Sequence, residues 1–193
     1  MAQHINDFAS SETPKEIVVS LKRWVRELLS SDKWTGYFLN FMFEQLNGSH
    51  ATLMSNMRNE VERFYSKILT RIIRNPNSTT AWKKLPLFIG CPDLPVWKHE
   101  KVSLSVFSVN AGYHFNGILL VPRESRLKTG FRAHMHKNRK FYADGKRGLR
   151  RIHVSKITKH PGYVTDYALK ALKHGRIEYD ELLILPKHST EIS

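Results

Sequence analysis

Residues 113 to 122, Tyr-His-Phe-Asn-Gly-Ile-Leu-Leu-Val-Pro, set two polar side chains in front of an almost wholly apolar run. Such a run reads as a strand anchored in the core. Successive strand residues point to opposite faces, so His114 and Asn116, separated by Phe115, project from the same one. Any fold of this chain therefore has to seat an imidazole and an amide beside its interior. The plain account of the pair is a polar strand face touching a helix. An imidazole nitrogen and an amide oxygen two residues apart on a strand are also two donors for a divalent ion.

The rest of the chain supplies elements to surround that strand. Residues 14 to 30 repeat apolar side chains at helical spacing (Ile17, Leu21, Trp24, Val25, Leu28), which predicts an amphipathic helix. Residues 34 to 46, dense in aromatics, have the length of a buried strand. A second helix is expected over about 50 to 74, where Leu53, Met57, Val61, Phe64, Ile68 and Ile72 form one stripe and Asn75-Pro76 ends it. Residues 81 to 97 hold a short apolar run broken by prolines. Residues 102 to 122 give one or two strands bent at Asn110-Ala111-Gly112. A turn-rich loop, a strand over 149 to 157, a helix from Pro161 and a closing strand near Leu183 complete the order. This order predicts an α+β fold, a central antiparallel sheet with helices packed on one face. Residues 1–33 read as an N-terminal helical extension and 34–193 as a single domain.

Charge narrows the partner. Thirty-one Lys and Arg against seventeen Asp and Glu leave +14, which favours a polyanion, nucleic acid before all others. Between Arg126 and Lys159 stand twelve basic residues and one acid, Asp144. Arg126, Lys128, Arg132, Lys137, Arg139, Lys140, Lys146, Arg147, Arg150 and Arg151 are the expected phosphate contacts, joined by His134 and His136. Phe131, Phe141 and Tyr142 lie among them as platforms for bases. A solvated surface that only aids solubility is the bland alternative. A membrane partner is not expected, since no basic amphipathic helix stands apart from the core and no stretch approaches 18 uninterrupted apolar residues. The first residues do not read as a signal peptide, and a cytoplasmic protein is expected. The single cysteine, Cys91, excludes an internal disulfide framework and a cysteine-based zinc site.

Residues 161 to 175 carry the other candidate chemistry. Tyr163 and Tyr167 are four apart, one above the other on a helix, and Lys170 follows on that side. Val164, Ala168, Leu169 and Leu172 already supply a buried face, so the tyrosines are not needed as core. Asp166 and Lys173 are expected toward solvent.

Taken together, "YVTDYALK" and "YHFNGILLV" resemble the nucleophile helix and the metal-binding strand of the HUH single-strand endonucleases, which include rolling-circle replication initiators, relaxases and some transposases. The likeness is to the two-tyrosine initiators. "WTGYFLNFMF" is similar, with little specificity, to that family's first strand motif, and the resemblance spans residues 34 to 185. It implies a palm-like sandwich, an HUH-like endonuclease domain, and nicking and joining of single-stranded or hairpin DNA with Mg²⁺ or Mn²⁺. Tyr163 and Tyr167 would be the nucleophiles, Lys170 a phosphate contact, and His114 and Asn116 metal ligands. Asp93 and His153 are the candidates for a third ligand, and a host helicase is a further implied partner. A free tyrosine hydroxyl, with a pKa of about 10, becomes a useful nucleophile when a metal polarises the phosphate it attacks. The sequence departs from the family where Asn116 replaces the second histidine, and an amide oxygen binds transition ions more weakly than imidazole. A literal His-x-His, His134-Met135-His136, lies in the basic segment; it ranks below His114 and Asn116 as a metal pair and reads first as an exposed loop contacting phosphate. Two other readings stand beside the nickase. One is a non-catalytic nucleic-acid-binding module on the same fold. The other is a regulatory remnant that binds a protein.

Overall fold

The computed structural model describes residues 13–44, 46–78, 80–93 and 113–187. The expected bend at Asn110-Ala111-Gly112 and the segment before it lie outside the described residues. Helix α1 (Pro14–Ser30) starts on a capping box: Thr13 accepts from the Glu16 amide, and the Glu16 carboxylate accepts from the Thr13 amide at 2.7 Å. Strand β1 (Trp34–Phe43) follows, then the long helix α2 (His50–Ile72), capped by the Ser49 hydroxyl. Strands β2 (Leu87–Asp93) and β3 (His114–Pro122) come next. Two short helices, α3 (Phe131–Lys137) and α4 (Arg139–Tyr142), lead to β4 (Leu149–Lys156). Helix α5 (Pro161–Ala168), the four-residue α6 (Lys170–Lys173) and the short strand β5 (Leu183–Leu185) complete the order.

The five strands form one open antiparallel sheet in the order β4-β1-β3-β2-β5, so β3 is central and β4 is an edge. The protein is α+β, as its element order predicts. The helices cover both faces, however, and not one. Phe41, Phe88 and Phe115 meet Phe64 and Met57 of α2 on the first face. Ile118, Leu120 and Ile89 meet Val18 and Val25 of α1 and Ala168 and Leu172 beyond Tyr167 on the second. The reason is in β3 itself: from Phe115 to Pro122 every residue is buried, which only a strand covered on both sides achieves. At about 1.5–3 kcal/mol for each large apolar side chain removed from water, the two layers dominate the stability. Helix α1 is thus built into the second layer.

Two details differ from the sequence expectation for local reasons. Residues 131 to 142 are helical where a loop is expected from the sequence, because Phe131 and Met135, four residues apart, drop into the first core and hold α3 down. The uneven pattern Leu149, Ile152, Val154 comes from an irregularity opposite Met42 and Phe43, where Arg150 is left out of the pairing.

Gly90 and Gly117 face each other across β2 and β3. A Cβ on Gly117 would run into the ring of Phe88, and one on Gly90 into the Asn116 carbonyl. These glycines let Phe88 lie flat on the sheet and set the strand spacing next to Asn116. We expect Gly117→Ala to cost about 1–3 kcal/mol through overpacking, read as a lower urea midpoint with an unchanged slope.

Candidate functional site

The second face of the sheet carries a polar row where β1, β3 and β2 run side by side. Asn116 lies opposite Asn40 on one flank and Cys91 on the other, and Asp93 lies opposite His114. Asn116 is wholly buried, so its amide must be satisfied by protein groups. Asn40 Nδ2 donates to Asn116 Oδ1 at 2.7 Å, and Asn116 Nδ2 donates to Asp93 Oδ2 at 2.9 Å. Lys170 Nζ ion-pairs the same Asp93 oxygen at 2.8 Å. One continuous polar chain therefore joins three strands to the helix that follows the tyrosines.

The tyrosines are positioned by a strained entry and a break. His160, in the left-handed region at φ 50°, turns the chain into α5, and Pro161 occupies its first turn. The helix expected through residue 175 is interrupted at Leu169, after which α6 begins with Lys170. Tyr163 is 72% exposed and Tyr167 45% exposed, so neither is core. Tyr167 meets Phe38 edge-on at 5.7 Å between ring centroids, and the Lys170 ammonium lies 4.8 Å from the Tyr167 centroid. Lys170 thus touches both the exposed tyrosine and the buried carboxylate. A slot of about 240 Å³ opens between Phe38, Tyr163, Val164 and Tyr167, with Lys156 and Lys159 at its rim.

Asp166, expected toward solvent, instead ties α5 to α1. It pairs with Lys22 at 2.6 Å and with Lys173 at 3.3 Å. Burial raises its carboxyl, but the hydrogen bonds from Lys22 and Lys173 outweigh that and hold it below the usual range.

Four residues are candidates for a divalent ion, and the fold brings three of them together. Among the described residues, the buried atoms Asp93 Oδ1 and His114 Nδ1 have no hydrogen-bond partner, and the two residues lie on neighbouring strands and the same face. Two unpartnered donors, one carboxylate and one imidazole, fit a divalent cation. Asn116 adjoins them but spends its oxygen on Asn40, so its present role is to orient Asp93. His153 is opposite Asn40 on β4, exposed, with β1 and β3 between it and Asp93. Among the described residues no three His, Cys, Asp or Glu side chains converge on one point. Cys91 adds no nucleophile: burial pushes its thiol up to about 12.

The His134-x-His136 pair is corrected by α3. Residues two apart on a helix point in different directions, and His134 Nε2 is turned inward to the Tyr142 hydroxyl at 2.7 Å. Phe131 and Tyr142, expected to stack on bases, are buried core instead, at 2% and 1% exposed. Phe141 remains 45% exposed, with the Lys67 and Arg71 cations 4.8 and 5.3 Å from its ring centroid. Six basic residues named from sequence line one groove of about 660 Å³ along β4: Arg132, His136, Arg139, Lys140, Arg150 and Arg151. Exposed His153 also lines it. Arg126 and Lys128 lie on the loop after β3, where the Arg126 amide donates to the Ile72 carbonyl. Lys137 is exposed on α3, and Lys146 and Arg147 are exposed in the turn before β4. No helix among the described residues is long and apolar enough to cross a membrane.

Sequence reasoning missed Asn40 and Phe38. The signal for Asn40 was available, since it is the one amide in the aromatic run from Trp34 to Phe43. Compared with protein-family models, curated proteins and solved structures, the chain has no significant match to any of them.

Burial pushes the His114 imidazole below its ordinary value; the Asp93 carboxylate opposes that and the Lys170 ammonium adds to it. Its folded pKa lies under its unfolded one, so its contribution to stability is present above the unfolded value and lost as pH falls through the folded value. An NMR titration should place the His114 midpoint below about 6.5. Asp93→Asn should lower it further and Lys170→Met should raise it. A midpoint above the ordinary value, or opposite signs in the variants, would contradict this arrangement.

Proposed function

We propose that the protein nicks and rejoins single-stranded or hairpin DNA through a tyrosine nucleophile. One observation carries the reading: the exposed Tyr167, the buried Asp93 and the half-buried His114 opposite it belong to the same sheet face, and Lys170 touches Tyr167 and Asp93. Asp93 and His114 are the residues to hold a divalent cation, with Asn116 behind Asp93. When bound, Mg²⁺ or Mn²⁺ would polarise the scissile phosphate and offset the charge that develops on its oxygens.

The chain's own groups supply the rest. Tyr167 or Tyr163 forms an O–P bond as the P–O3′ bond breaks, leaving a 5′-phosphotyrosine. The phenolic proton ends on the released 3′-hydroxyl, so the exchange is balanced and reversible. The second tyrosine, one turn away, allows a second transfer. The slot between Phe38 and the two tyrosines offers aromatic surface to a base, with Lys156 and Lys159 near its phosphates. The test is a denaturing gel of protein incubated with labelled single-stranded oligonucleotides and Mn²⁺. A covalent adduct is expected, reduced in each single Tyr→Phe variant and lost in the double one. An adduct that survives the double variant, or none with any substrate, would refute the nickase.

A non-catalytic nucleic-acid-binding module is the second reading, favoured by the commitment of the Asn116 oxygen to Asn40. Both readings use the basic groove along β4 and the +14 charge. We expect binding that weakens steeply with salt. Replacing Arg139 and Arg150 by Ala should flatten the slope of log K against log salt by about 1 for each phosphate no longer neutralised. Salt-independent binding would exclude the groove as a polyanion site. Binding without any adduct would favour the module.

A further inference from the structure

We propose that Lys170 is a built-in occupant of the cation site, so that Asp93 holds either its ammonium or a divalent ion, and nucleic acid decides which. The inference rests on the metal-site part of the proposed function. Asp93 is 7% exposed and sits at the end of the Asn40–Asn116 hydrogen-bond chain, which fixes its position. Its Oδ2 already receives Asn116 Nδ2 and the Lys170 ammonium, while its buried Oδ1, and the Nδ1 of His114 paired with it across the strands, have no partner among the described residues. The ligating atoms are therefore present, but a cation stands on the same carboxylate. A divalent ion entering here meets like-charge repulsion at close range, in a setting where water screens it poorly.

Lys170 also has somewhere to go. Its side chain is 31% exposed, its four-carbon stem is flexible, and its ammonium already lies 4.8 Å from the Tyr167 ring centroid. A phosphate placed at Tyr167 would draw the ammonium outward and release Asp93. Strand binding and divalent-ion binding would then reinforce each other, each raising the affinity of the other by the same factor. The polar row would thereby keep the ion site closed until a strand arrives.

The experiment counts free Mn²⁺ by electron paramagnetic resonance during titration of the full chain, with and without a short oligothymidylate. Lys170→Met should bind Mn²⁺ about tenfold more tightly than the unaltered chain, within the usual range of coupling between sites. The oligothymidylate should tighten Mn²⁺ binding several-fold more in the unaltered chain than in Lys170→Met, where only the phosphate's own contact with the ion remains. Asp93→Asn added to Lys170→Met should abolish the binding. Equal affinities, no binding in either protein, or an oligonucleotide effect as large in Lys170→Met as in the unaltered chain would each overturn the proposal. Circular dichroism checks folding, and Lys170→Gln, also uncharged, reads the same quantity if the Met variant does not fold. Adduct formation is scored separately, so loss of the nickase reading with the Mn²⁺ contrast intact is distinguishable from failure here.

Discussion

Asn116 has no contact with solvent, and an amide in that position costs about 1–3 kcal/mol if it is left without partners. It is satisfied from both flanking strands: Asn40 on β1 gives it a donor, and Asp93 on β2 takes its own. Much of the site follows from this requirement. The three strands are held in a register that sets Asp93 opposite His114. The Asp93 carboxylate, carried inward with the row, binds Lys170 and so fixes the start of α6 directly beyond Tyr167. A row of hydrogen bonds that begins as a solution to burial ends at an ammonium that lies against both a buried acid and an exposed tyrosine ring.

The two faces of the sheet divide the work. On the first, Phe41, Phe64, Phe88 and Phe115 meet mostly edge to face, and the paired glycines Gly90 and Gly117 leave room for the Phe88 ring. That side is dry core and supplies rigidity. On the second, apolar packing from α1 and α6 stops short of the strand ends where the polar row lies, and α5 is clasped to α1 by Lys22 and Asp166. Helix α1 therefore acts as the back wall of the tyrosine helix. The open edge β4 contributes the third surface. Its exposed arginines and His153 blunt an edge that would otherwise invite another strand, and they line the basic groove.

Much of this was legible from residue pattern. Apolar spacing located α1, α2 and β3, because burial demands regular repeats and a helix and a strand repeat differently. That the tyrosines were not needed as core followed from the apolar neighbours on their helix, and both are exposed in the fold. The basic segment was misread where its arginines and lysines hid an apolar pair, Phe131 and Met135, that makes it helical and turns Tyr142 and His134 inward. A count of charges reports what faces water; it is silent about the few side chains that decide how the segment is anchored. The second helix layer was missed because β3 was read from one face.

Residue order alone determined the α+β class, the buried apolar run of the strand bearing His114 and Asn116, two tyrosines not needed as core and the strongly basic composition. These depend on local periodicity and on summed charge, and both are properties of neighbouring residues. Which groups share the site was decided only by the tertiary structure. Asp93 and Asn40 lie 23 and 76 positions from Asn116, and their hydrogen bonds to it arise from strand order and register. His153 is separated from Asp93 by the same strand order, although its residue type suited the site equally well. Lys170 turned from an expected phosphate contact into the partner of a buried carboxylate for a related reason. Once Asn116 had drawn Asp93 into the interior, that charge needed a counter-charge, and the ammonium beside Tyr167 was within reach.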